Sequence, residues 1–206
     1  MIDRQLDIVR EDLHRRFGQA LPAADIDQIL DDTIAAETAS ARVTSYLPVM
    51  IERAAAEAIK DEATSRGEFA GARKEILYVC ERNAGRSQLA DAITHHLVGD
   101  AVVVRSVGLE PADEINPTVI EVLKERGIAT DGLFQTTIVP RVVHRSDIVV
   151  LMGVDEIPGV PGVRYAHWDV KDPEGASIEE VRAIADEIET QVRGLIAEME
   201  LPIAAA

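Results

Sequence analysis

Cysteine, aromatic rings and basic side chains are all scarce in this chain of 206 residues, and each scarcity excludes something. The one cysteine, Cys80, excludes an intrachain disulfide and any multi-cysteine metal cluster, so its thiol can act only with an outside partner. Three Phe, three Tyr and one Trp leave little to line a slot for an aromatic ligand. Lys and Arg total 21 against 37 for Asp and Glu, a formal net charge of -16. Nucleic-acid binding draws on basic residues that neutralise phosphates, so no nucleic-acid partner is expected. No stretch approaches the roughly 20 apolar residues that cross a bilayer. The start, Met1-Ile-Asp-Arg-Gln-Leu-Asp7, lacks the apolar run of a signal peptide. A soluble, cytoplasmic protein with no membrane partner is therefore expected.

What is present divides into two patterns. Over 1–66 the apolar period is helical: Ile2, Leu6, Val9, Leu13 and Phe17 fall on one face, and Gly18 supplies a stop. Pro22 can open a second helix carrying Ile26, Ile29, Leu30 and Ile34. A third is expected from Ser45 to Thr64, with Ser45 as cap, Pro48 in the first turn and Leu47, Met50, Ile51, Ala54, Ala58 and Ile59 as its stripe. Three short amphipathic helices suggest a small bundle. Residues 1–70 hold 14 acidic and eight basic side chains, so no basic face stands out. The apolar faces can pack together, dock on the rest of the chain or form the contact of a homodimer, and periodicity does not separate these.

After a linker at Ser65–Arg73, strands and helices alternate over 74–206. Ile76–Cys80, Ala101–Val107, Asp147–Met152 and Val163–His167 read as strands. Ser87–Leu97, a helix opened by Asn116-Pro117 and ended by Gly127, and a long last helix following Asp172-Pro173 lie between and after them. Such alternation implies a doubly wound parallel α/β sheet, with the functional loops beyond the carboxyl ends of its strands.

The first strand ends in Cys80-Glu81-Arg82-Asn83-Ala84-Gly85-Arg86-Ser87, a cysteine followed after five residues by arginine and serine. Wrapped between a strand and a helix N-terminus, such a loop offers successive backbone N–H groups and the positive end of the helix dipole to a tetrahedral oxyanion. Arg86 can close the cradle with a planar fork that Lys cannot reproduce. The same field favours a thiolate over a thiol at Cys80, Ser87 can donate a hydrogen bond to it, and Asn83 tolerates the left-handed backbone of a tight loop. A lone cysteine at a strand end is more often a structural thiol; the spacing to Arg86-Ser87 and the strand-loop-helix context decide against that here.

The loop resembles that of the low-molecular-weight protein tyrosine phosphatases and of the arsenate reductases sharing their fold, whose motif Cys-x-x-Asn-x-x-Arg-Ser is matched by Cys80, Asn83, Arg86 and Ser87. The resemblance runs over about 74–200: Gln88 to Asp91, Ser106-Val107-Gly108, Ile115-Asn116-Pro117, Gly127-Ile128, Ser146 to Val150, His167-Trp168 and Asp172-Pro173 continue it. It implies a phosphatase-like fold, with Cys80 as nucleophile, Arg86 as oxyanion clamp, Asp172 as proton donor and residues 81–87 as the substrate loop. Asp172 is followed by Glu174-Gly175 where the tyrosine phosphatases tend to carry tyrosines, so arsenate, with phosphate competing, fits better than phosphotyrosine.

Thioredoxin-coupled reductases supply two further cysteines after the strand matching Asp147–Val150, and this chain has none there. The resemblance is therefore to the single-cysteine branch that borrows an external thiol: mycothiol with mycoredoxin first, since the three-helix N-terminal extension ending in Tyr46-Leu-Pro-Val49 resembles that carried by actinobacterial members, and glutathione with glutaredoxin second. No tightly bound cofactor is expected. Asp91 and Ser106 stand where a thioredoxin-coupled relative contributes to a potassium site; here they read as a solvated helix Asp and a strand-end Ser. The histidines His14, His95, His96, His144 and His167 show no ligand spacing, so no transition metal is expected. The competing readings are a phosphatase acting on phosphotyrosine or small phosphoesters and a non-catalytic oxyanion-binding module.

Overall fold

The computed structural model describes residues 2–40, 47–67, 73–157 and 162–203. The chain divides into two compact units, Met1–Arg73 and Lys74–Ala206. The first holds α1 (Ile2–Phe17), α2 (Ala23–Ser40) and α3 (Leu47–Ser65). Val9, Leu13 and Phe17 of α1 meet Ile26 and Leu30 of α2 and Ile51 and Ile59 of α3, so the apolar faces pack on one another. Arg10 and His14 of α1 both reach Asp27 of α2, His14 at 2.8 Å. The third stripe differs from its expected form. Met50 is half exposed, and Ala55 and Ala56 are buried in place of Ala54 and Ala58. The expected cap, Ser45, and Tyr46 lie outside the described residues.

The second unit is an α/β domain. Its elements are β1 (Glu75–Cys80), α4 (Arg86–Val98), β2 (Val103–Gly108), α5 (Pro117–Glu125), α6 (Pro140–Arg145), β3 (Ile148–Met152), β4 (Tyr165–Trp168) and α7 (Ile178–Glu198). A short 3-10 turn at Gly99–Ala101 delays β2 by two residues relative to the sequence reading. All strands are parallel, in the order β2-β1-β3-β4, with Cys80 paired to Gly108 and Val79 to Leu151. Strands β1 and β3 are buried on both faces, which is why Ile76–Cys80 and Ile148–Met152 are unbroken apolar runs, while the buried Glu75 at the start of β1 is paired with Arg105. Alternate residues divide between two cores. Ile76, Tyr78 and Cys80 face α4, α5 and α7 with Leu89, Ile93, Val122 and Ile188. Leu77 and Val79 face Val143 of the short α6 and Ile157.

Chain order leaves β1 toward β2 on one side and toward β3 on the other, so a crevice opens beyond the carboxyl end of β1, where the loop with Cys80 emerges. Asn116 caps α5, accepting a hydrogen bond from the Thr118 N–H at 2.9 Å, as the Asn-Pro pair implies. Asp172 does not cap α7. Ser177 does, in a capping box with Glu180, and Asp172 instead closes a turn by accepting from the Glu174 N–H at 3.0 Å. A Ser with Glu three residues on satisfies two helix N–H groups reciprocally, which Asp172-Pro173, five residues upstream, cannot do.

Candidate active site

The loop after β1 is held by its carbonyls. The oxygens of Cys80, Glu81, Arg82, Ala84 and Gly85 accept from the N–H groups of Leu109, Glu110, Ala112, Asn116 and Leu89, at 2.9–3.3 Å. No N–H from Arg82 to Gln88 donates to a backbone carbonyl among the described residues, which leaves these donors for an anion. At the centre, Asn83 adopts φ +47°, the left-handed region that asparagine tolerates.

Cys80 is 3% exposed, and its Sγ lies 3.0 Å from the hydroxyl of the fully buried Ser87. The direction of this hydrogen bond follows from its neighbours. The Thr136 N–H donates to Asn83 Oδ1 at 2.7 Å, which turns Asn83 Nδ2 toward Ser87 Oγ at 2.8 Å. Nδ2 can only donate, so Ser87 Oγ accepts from it and keeps its own proton for the sulfur. The arrangement aims one O–H donor at the Cys80 sulfur.

Arg86, also buried, donates through Nη2 to Asp172 Oδ2 at 2.7 Å. Asp172 is half exposed, so the pair stands at the mouth of the crevice. Two glycines shape this corner. Gly153, directly after β3, has φ +65°, and a Cβ on it would lie 2.0 Å from Arg86 Nη1. A Cβ on Gly85 would lie 2.4 Å from Pro173 Cγ, so the absence of a side chain there lets Asp172-Pro173 approach the loop. Asn116 ties the two together, its N–H on the Ala84 carbonyl and its Nδ2 on the Pro173 carbonyl at 3.2 Å.

The cleft is small, about 20 Å3, and lined by Cys80, Arg82, Ala84, Gly85, Arg86, Asn116, Asp172, Pro173 and Glu174. Among the described residues no aromatic ring lines it. Tyr78 and Trp168 stack at 5.6 Å in the core behind the loop, where burial pushes the Tyr78 phenol well up and its hydroxyl meets Thr94. A larger cavity, about 560 Å3, lies elsewhere, against Asp91, Ser106 and Phe134, and holds none of the residues from Cys80 to Ser87.

The structure thus brings Cys80, Asn83, Ala84, Gly85, Arg86, Ser87 and Asp172 together, with Arg82 exposed but still lining the cleft, whereas Glu81 is exposed and does not line it. Asp91 departs from its sequence reading. Its side chain is only 15% exposed: burial pushes its carboxyl pKa up, and a hydrogen bond from Ser106 and the nearby His95 pull it back. The Asp91 position on the inward side of α4 decides this, and that face is not apparent from a single polar residue. Among the described residues no group of three His, Cys, Asp or Glu could hold a metal ion. Thr136, Gln88, Asn116 and Gly153 were not legible as parts of the site. Thr136 acts through its backbone N–H and Gly153 through an absent side chain, while Gln88 and Asn116 bond through side-chain amides to carbonyls of the loop and of distant segments.

Comparison with known proteins agrees with this geometry. Arsenate reductase 2 of Staphylococcus epidermidis is 34% identical over 124 residues, covering 58% of this chain and 94% of that protein. The glutaredoxin arsenate reductase of Synechocystis sp. is 31% identical over 130 residues, 61% of this chain and 98% of that one. Among solved structures, the thioredoxin-dependent arsenate reductase of Corynebacterium glutamicum is 30% identical with a TM-score of 0.56, and the match covers 97% of this chain and 98% of that one. Residues 75–202, which contain the sheet, the cysteine loop and the Asp172-Pro173 turn, match the low molecular weight phosphotyrosine protein phosphatases, and the chain belongs to that family.

Proposed function

We propose that the chain is an arsenate reductase that borrows its reducing thiol. The observation that carries this is a buried cysteine, hydrogen-bonded by Ser87, that shares a small cleft with Arg86 and Asp172 in a chain with no second cysteine. The Cys80 thiolate attacks arsenic, and an As–O bond breaks; Asp172 delivers a proton so that the oxygen leaves as water. The loop N–H groups of residues 82–87 and Arg86 hold the remaining oxygens. A second thiol then attacks the Cys80 sulfur, the S–As electron pair passes to arsenic, and arsenite leaves with a mixed disulfide behind. Alternatively that thiol takes the arsenic and a redoxin thiol completes the same two-electron step. Mycothiol with mycoredoxin is the first candidate and glutathione with glutaredoxin the second, in the cytoplasm.

The Corynebacterium relative is thioredoxin-dependent and spans nearly this whole chain, N-terminal helices included, so the extension itself does not select the reductant. The cysteine count supports an external thiol. Phosphate is the competing oxyanion. A phosphatase reading is favoured by the family and by Asp172 in the cleft lining, but among the described residues no aromatic side chain walls the cleft for phosphotyrosine.

The test is arsenite formation from arsenate by purified protein with mycothiol plus mycoredoxin, glutathione plus glutaredoxin, or thioredoxin, beside an aryl phosphate control. Turnover with one low-molecular-weight thiol system alone is expected, and Cys80→Ser abolishes it. Silence in all three with rapid aryl phosphate hydrolysis overturns the reductase in favour of the phosphatase, and silence everywhere leaves an oxyanion-binding module.

A further inference from the structure

Gln88 sits on the first turn of α4, fully buried, beside the thiolate network but not part of it. Its Nε2 spends both hydrogens on backbone carbonyls, that of Asn83 at 3.0 Å and that of Phe134 at 2.9 Å. Its Oε1 is buried with no partner among the described residues. An unpaired buried amide oxygen destabilises the fold, and an apolar side chain of the same length would fill the position without it. The two N–H groups are therefore what the position requires.

The Asn83 carbonyl explains the requirement. Of the six consecutive carbonyls from Cys80 to Gly85, five are held by backbone N–H groups and only this one by a side chain. It is also the carbonyl of the left-handed residue, at the loop's centre. A peptide flip between Asn83 and Ala84 would swing that oxygen toward the anion and withdraw the Ala84 N–H, replacing an attractive dipole with a repulsive one.

Resting on the oxyanion-cradle reading, we propose that Gln88 is a positioning residue that keeps the Asn83 carbonyl out of the cradle, and so sets both oxyanion affinity and the reactivity of Cys80. Through Phe134 the same amide also ties the Phe134–Thr136 segment, whose Thr136 N–H orients Asn83, to the loop.

The experiment uses the full chain with Gln88→Met, which keeps the length and loses the donors. Inorganic phosphate protects Cys80 from iodoacetamide, and the protection yields a Kd; the pH profile of alkylation is recorded alongside, with circular dichroism as the check on folding. The expected result is a folded variant with phosphate affinity weakened about tenfold or more and an alkylation profile moved to higher pH. A folded variant with both readouts unchanged overturns the proposal. Should Gln88→Met not fold, Gln88→Glu regains one donor when its carboxyl is protonated. Sulfate, whose charge is constant over the range, should then protect better as the pH falls, relative to the unaltered protein, and the absence of that gain overturns the proposal. If the unaltered protein shows no protection by phosphate, the cradle itself falls, which is a different failure from a Gln88 variant that behaves as the parent does.

Discussion

Replacing Gly153 by alanine separates the stability of the fold from the placement of Arg86. The added Cβ would meet Nη1 at 2.0 Å, Cζ at 2.7 Å and Nη2 at 2.9 Å. All three atoms are the far end of a flexible side chain, so the guanidinium can move aside and the sheet need not. The stability cost is then mainly that of an alanine at φ +65°, roughly 1–2 kcal/mol. For a chain of this size that is roughly 2–8 °C in Tm. The functional cost is larger. Arg86 in its present place offers the anion a charge-assisted fork, and each hydrogen bond to a charged partner is worth roughly 1.5–3 kcal/mol. Losing one good bond weakens oxyanion binding roughly 10- to 100-fold. The assay is phosphate protection of Cys80 from iodoacetamide, with Tm by calorimetry on the same sample. A Gly153→Ala protein that melts a few degrees lower yet binds phosphate as the parent does would refute the placement of Arg86 by Gly153.

Asp172→Ala separates clamp from proton donor: with its carboxylate gone, Arg86 is free for the anion, so phosphate binds at least as tightly, while aryl phosphate hydrolysis measured with a chromogenic ester falls about 10²-fold or more. Weaker phosphate binding would show that Asp172 organises Arg86 rather than competing for it. Asp91→Asn tests the buried carboxyl. Burial raises its pKa in the folded state, so the folded chain holds that proton more tightly than the unfolded chain does, and stability falls as pH rises past the unfolded value of about 3.9. The asparagine variant should therefore melt higher than the parent at pH 7 and not at pH 3.5, read by thermal denaturation; an equal shift at both would assign the effect to packing.

The alternation of strand and helix over 74–206 was legible because buried parallel strands read as continuous apolar runs, as Ile76–Cys80 of β1 and all of β3 do. The three N-terminal helices were legible from their period, with Val9, Leu13, Phe17, Ile26 and Leu30 buried as the stripe required. Their placement against one another was not, since an apolar stripe does not name what covers it. The start of β2 moved by two residues because a 3-10 turn at Gly99–Ala101 carries no distinct pattern. Asp172 shows the limit of local reasoning: an Asp-Pro pair reads as a helix start, yet Ser177 and Glu180 satisfy that helix and Asp172 turns to Arg86 instead.

By itself the sequence determined the chemistry within reach of one loop: the single thiol, its serine, its arginine and the asparagine between them, because these lie within eight residues and their geometry follows from a strand running into a helix. The tertiary structure alone decided what makes that loop a cradle. The N–H groups of Leu109 to Asn116 turn its carbonyls away, Thr136 orients Asn83, Gly153 leaves room for the guanidinium, and Gln88 holds the one carbonyl no backbone group reaches. Backbone donors and missing side chains leave almost no trace in residue identity, so they become visible only when the chain has brought distant segments together.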